Sequence, residues 1–141
     1  MNPIVRLVEQ WRSDGVQLEP PATDADLRAL ECALGAPLPA DVAAFYGLAN
    51  GMPDLKHDSH EVSFWSIHKI LAKQESRSGF DPNGPFTDLA IGDFLLNSWF
   101  FDLRVRARAI TLFVEGSGEE IGSLSVLASR YVEAPGSLPV L

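Results

Sequence analysis

The apolar residues of this chain keep a helical period through the first fifty residues and change to a period of two from residue 87, and that switch limits the folds open to it. Before the switch, Ile4, Leu7, Val8 and Trp11 recur at helical spacing, as do Leu27, Leu30 and Leu34, and then Val42, Phe45, Tyr46 and Ala49. After it, Trp99, Phe101, Leu103 and Val105 alternate with Phe100, Asp102, Arg104 and Arg106, the pattern of a half-buried strand. Helices followed by strands do not build alternating β–α units. They predict an α+β fold: a mainly antiparallel sheet with an N-terminal group of helices and a C-terminal helix packed on it.

Local signals place the element ends. Pro3 suits a first helical turn and Gly15 lies past the end of that helix. Thr23 with Asp26 resembles a capping box, and Gly35 is placed to cap the second helix. Cys32, with Ala25 and Ala29, lies away from the leucine stripe, on a face that is either exposed or closely packed. Pro39 opens a third helix and Asn50–Gly51 stops it through a left-handed exit. After a polar loop over residues 52–61, Val62, Ser63, Phe64 and Trp65 suit a strand. Ile67, Ile70 and Leu71 then suit a fourth helix that frays near residues 76–79.

Further on, Asp81, Pro82, Asn83, Gly84 and Pro85 concentrate turn chemistry. The apolar set Ile110, Leu112 and Val114 falls on even numbers, so the pattern slips by one after Val105, and a turn or bulge is required there. Gly116, Ser117 and Gly118 mark the next turn. Leu124, Leu127, Ala128 and Tyr131 fit a last helix that ends before Pro135.

With 141 residues, 46% hydrophobic and 21% charged, residues 1–141 are expected to form a single domain with a packed core. No apolar run approaches the roughly 18–20 residues that cross a bilayer, and Arg6 and Glu9 interrupt the N-terminus, so neither a membrane span nor a signal peptide is expected. One cysteine excludes an intrachain disulfide, which fits a reducing compartment and makes the cytoplasm the expected location. A net charge of −8 argues against binding nucleic acid, whose phosphates need Lys and Arg. Ten acidic and four basic residues fall in the first 61 positions, against nine and seven in the rest, so the acidity is concentrated N-terminally. Such a field steers a basic partner and also serves solubility.

The densest chemistry is His57, Asp58, Ser59, His60 and Glu61. His57 and His60 are weak candidates for metal ligation, since no further His lies nearby and no H-E-x-x-H pattern is present. A solvated loop accounts for them equally well. No G-x-S-x-G elbow or phosphate-binding glycine fingerprint occurs, and Glu115, Glu119 and Glu120 read as a charged loop tip. No catalytic residue and no cofactor is therefore assigned, although a hydrolase or metalloenzyme using the His57 to Glu61 loop stays open. His68 is expected on the surface. Phe100 shares a face with Asp102, Arg104 and Arg106 and is either exposed or covered by a helix; exposed, it would be the foremost binding hot spot.

Leu34, Gly35, Ala36, Pro37, Leu38, Pro39, Ala40 and Asp41, followed by Phe45, Tyr46, Leu48, Asn50 and Gly51, resemble the N-terminal signature of the SUKH superfamily (Smi/Knr-type). The resemblance continues through Phe64–Trp65, through Ile91, Gly92, Asp93, Phe94 and Leu95, and through Ser98, and covers most of the chain. It departs at Ser123–Leu124, where relatives commonly have serine-phenylalanine, and over residues 54–61. It implies an α+β fold without cofactor or reaction, and a protein-binding role. Bacterial members are proposed immunity proteins against polymorphic toxins, and fungal relatives are linked to cell-wall synthesis. The leading expectation is an intracellular immunity-type protein that meets a basic toxin through Asp54, Asp58, Glu61, Asp93 and Phe100. The alternative is a regulatory or ligand-sensing domain docking onto a cell-wall or signalling enzyme.

Overall fold

A computed structural model describes residues 2–76, 88–94, 99–106, 109–115 and 119–134. The element order is α1 (Pro3–Ser13), α2 (Asp24–Leu34), α3 (Ala40–Leu48), β1 (Val62–Phe64), α4 (Ile67–Ser76), β2 (Asp88–Phe94), β3 (Trp99–Arg106), β4 (Ala109–Glu115), β5 (Glu119–Gly122) and α5 (Leu124–Glu133). The five strands form one antiparallel sheet in sequence order. The α+β layout with N-terminal helices and a C-terminal helix is the one the change of period predicts.

The helices begin and end where their caps require. Asn2 accepts the Ile4 N–H at 2.8 Å ahead of Pro3, and Gly15 beyond the helix has φ +79°. Thr23 and Asp26 form the reciprocal capping box, with bonds of 3.0 and 3.1 Å, and Gly35 ends α2 in the left-handed region. Ser123 caps α5 through the Val126 N–H. Cys32, Ala25 and Ala29 face solvent, as does His68.

The exit of α3 differs from the expectation. The cap residue Ala49 is extended, with φ −158°, and the left-handed residue is Gly51, two positions later. What demands glycine there is contact: a Cβ on Gly51 would lie 2.5 Å from the Trp65 carbonyl carbon and oxygen. Asn50 completes the junction, its Oδ1 accepting the Ile67 N–H at 2.9 Å to begin α4. Asn50–Gly51 therefore welds the end of α3 to the passage from β1 into α4.

The slip of pattern after Val105 is a hairpin. Val105 pairs with Ile110 and Arg106 with Ala109, so the connection transfers odd positions of β3 onto the even positions of β4. Phe101 and Leu103 thus stand in register with Val114 and Leu112. A bulge occurs elsewhere, between Ala90 and Gly92 of β2. The core-facing side receives Trp11 of α1 and Phe45 of α3 on Phe64, which stacks on Phe101 at 5.4 Å. α5 packs along α1. On the opposite face, Ser63, Asp93 and Phe100 are register neighbours, and Trp65 lies against them. That face is not open: Asp102 is 1% exposed, although its place in the alternation reads as solvent-facing. Arg104 grips Asp88 on the neighbouring strand through two bonds of 2.9 and 3.0 Å. The expected fraying near 76–79 and the turns at 81–85 and 116–118 fall mainly or wholly outside the described residues, as do Leu95 and Ser98 and the side chains of Glu115, Glu119 and Glu120.

Candidate functional site

Residues 53–61 connect α3 to β1 with little backbone regularity of their own, so something else must hold them. The holding group is Asp58. Its Oδ1 accepts the backbone N–H of His60 at 2.8 Å and of Val62 at 3.0 Å, closing a tight turn. Its Oδ2 accepts the Trp11 indole N–H at 3.0 Å and the Tyr131 hydroxyl. One carboxylate thereby ties α1, α5 and the entry to β1 to the same loop. The loop carries two left-handed non-glycine residues, Leu55 at φ +65° and Glu61 at φ +64°. Each is a strained conformation that persists only where the surroundings impose it.

The anchored loop presents its remaining side chains to solvent. Asp54, Leu55, Lys56, His57, Ser59, His60 and Glu61 are all exposed. Leu55, at 74%, is the more exposed of the two large apolar side chains left open among the described residues. Lys69 of α4 reaches Asp54 at 2.7 Å and lies 5.2 Å from the centre of the Trp65 ring. That hydrogen bond and the Lys69 charge hold the Asp54 carboxyl below its ordinary range.

A second indole–carboxylate pair lies on the outer sheet face. Trp65 donates to Asp93 Oδ2 at 2.6 Å, and Phe100 meets the Trp65 ring edge-on at 5.9 Å. Two residues expected to bind a partner, Asp93 and Phe100, therefore meet at Trp65, and Asp54 is linked to it only through Lys69. Asp58 and Glu61 sit in the other cluster. Of the four acids expected to meet a partner, Asp58 and Asp93 are each only 4% exposed, and their oxygens serve buried donors. Phe100 is half-buried against Trp65. Asp54 and Glu61 are the expected acids that reach solvent.

The two histidines turn to different partners. His57 Nδ1 donates to the Asp58 carbonyl at 2.8 Å, while the His60 ring stands perpendicular to Tyr131 at 5.7 Å. Among the described residues, no group of three or more His, Cys, Asp or Glu is arranged to hold a metal ion.

A cleft of about 240 Å³ lies between α1, the loop and α5, lined by Gln10, Trp11, Asp14, Asp58, Ser59, His60, Tyr131 and Val132. Burial, and then the bond to Asp58, raises the Tyr131 hydroxyl well above its ordinary range, so it stays protonated and donates. Burial alone does the same to Tyr46, which donates to the Trp65 carbonyl at 2.9 Å. Pattern reasoning places Trp11 and Tyr131 in the core, but not as donors to Asp58, and it misses Leu55. The sole local signal for Asp58 is an Asp at the start of a turn, since its other partners lie 47 and 73 residues away.

This geometry defines a small α+β domain whose sequential antiparallel sheet carries an exposed loop pinned by a buried carboxylate. The chain belongs to the SMI1 / KNR4 family (SUKH-1), whose model matches residues 21–130. Comparison with curated proteins gives no significant match. Asp58 lies inside the matched span; its two side-chain donors, Trp11 and Tyr131, lie outside it.

Proposed function

We propose that this chain is a cytoplasmic protein-binding domain of the immunity type, one that neutralises a partner toxin and catalyses no reaction. The observation that carries the reading is the loop over residues 53–61. It is exposed along most of its length, bears Leu55 at 74% exposure, and is nevertheless fixed by four hydrogen bonds to one buried carboxylate. A pre-ordered loop with an apolar tip and an acidic flank loses little conformational entropy on docking, which favours tight association. Membership of the SMI1 / KNR4 family supports this reading, and the net charge of −8 favours a basic partner over nucleic acid. Binding is favoured over catalysis because the oxygens of Asp58 already accept four donors, so this carboxylate is not available as a general base.

Co-expression with a toxin encoded by a neighbouring gene tests the proposal. Recovery of growth together with a co-purifying complex is the expected result; a toxin that neither binds nor is neutralised counts against it. A regulatory domain docking onto a cell-wall or signalling enzyme is the second reading, favoured by the polar groups that converge on the cleft. Growth rescue separates the two.

A further inference from the structure

We propose that the cleft between α1, the 57–61 loop and α5 receives a single arginine or lysine side chain from the partner protein, with Asp14 at its rim and Asp58 beneath. The inference rests on the protein-binding reading and names the chemistry it uses.

Three observations converge on it. The first is uncompensated charge. Asp58 is 4% exposed, and its four donors are two backbone amides, an indole and a phenol, all neutral. They satisfy its lone pairs but leave a unit negative charge in a poorly solvated place, and no Lys or Arg among the described residues pairs with it. A cation entering the cleft would offset that charge, and it would do so more strongly there than in bulk water.

The second is the lining. Asp14 adds a solvent-exposed carboxylate, held toward Gln10 by a 3.0 Å bond, and none of the residues lining the cleft is Lys or Arg. Trp11, Tyr131 and Val132 supply apolar surface for a methylene stem, so the cleft offers the two environments a long basic side chain requires. After burial, the bond and charge of Asp58 and then the charge of Asp14 help to hold the Tyr131 hydroxyl above its ordinary range.

The third is size. At about 240 Å³ the cleft falls below the 300–1,000 Å³ that drug-sized ligands occupy, which fits one side chain rather than a cofactor. It adjoins a shallower hollow of about 330 Å³, with which it shares Asp14, Asp58 and Ser59. A chain that delivers its side chain to the cleft therefore has a continuous surface on which to lie, beside the exposed loop.

The test is a nuclear magnetic resonance titration of the whole chain with the blocked tripeptide acetyl-Gly-Arg-Gly-amide, against acetyl-Gly-Glu-Gly-amide as control. The arginine peptide is expected to shift the Trp11 indole N–H and the Ser59 and His60 amides saturably, and the glutamate peptide is expected to leave them in place. Asp14→Lys should weaken binding at least tenfold, whereas Asp24→Lys, equal in charge change but on the exposed start of α2 and outside the cleft, should change it less than twofold. No saturable shift, or equal weakening by both variants, overturns the inference. Failure of toxin co-expression removes the partner and leaves this titration standing; failure of the titration removes the pocket and leaves the co-expression result standing.

Discussion

The Trp11 indole donates to Asp58 Oδ2 at 3.0 Å across 47 residues of sequence, inside a core where both side chains are buried. Removing the acceptor strands an indole, a phenol and two backbone amides at once. Asp58→Ala is therefore expected to destabilise the protein by about 3 kcal/mol or more. Urea denaturation followed by Trp fluorescence measures it, and a loss below about 1 kcal/mol would show that water replaces the carboxylate.

Gly51 and Gly15 both have positive φ, +69° and +79°, yet they should respond differently to alanine. A Cβ on Gly15 meets nothing within 4 Å, so the cost is the left-handed strain alone, about 1 kcal/mol. On Gly51 the same atom collides with Trp65 backbone at 2.5 Å, and the weld between α3 and α4 must move. Gly51→Ala should cost about 3 kcal/mol or more, and equal melting temperatures for the two variants would refute the contact argument.

Both tyrosines of the chain are held protonated, which makes the fold sensitive to alkali. The unfolded chain releases their protons near pH 10, while the folded chain retains them. Their contribution is fully present below about pH 10 and declines above it, by up to about 1.4 kcal/mol per pH unit for each tyrosine. Tyr131→Phe and Tyr46→Phe should each flatten that decline by one proton's worth. Tyrosinate absorbance should appear together with unfolding; its appearance in the folded protein would sink the idea.

Leu55 combines exposure with strain, so stability and binding should separate there. Leu55→Asn relieves part of the left-handed cost and should raise stability by about 0.5–1 kcal/mol. If the loop tip contacts the toxin, the same change should weaken the complex about fivefold or more. Calorimetric titration reads the second quantity, and unchanged affinity would move the contact away from the loop.

How much of this was legible depended on how far apart the cooperating residues lie. The caps at Thr23 and Gly35, and the buried stripes of α1 and α5, act within one or two helical turns, and the sequence pattern states them directly. The one-residue slip after Val105 announced a reversal, and the pairing of Arg106 with Ala109 supplied it. The bulge in β2 stayed hidden because Leu89, Ala90 and Ile91 form an unbroken apolar run, which carries no parity to violate. The candidate site was the least legible part. An aspartate beside two histidines reads as a solvated ligand cluster until α1 and α5 close over it, and its burial is a property of contacts 47 and 73 residues long.

The packing of α1 along α5 has a temporal consequence. The apolar stripe of Ile4, Leu7, Val8 and Trp11 leaves the ribosome more than a hundred residues before Leu124, Leu127 and Tyr131 follow. At ordinary synthesis rates that is a delay on the order of ten seconds. For that interval the first helix has no α5 to cover it, and Asp58 lacks the Tyr131 donor, so the 53–61 loop can acquire its final shape only after α5 has been made.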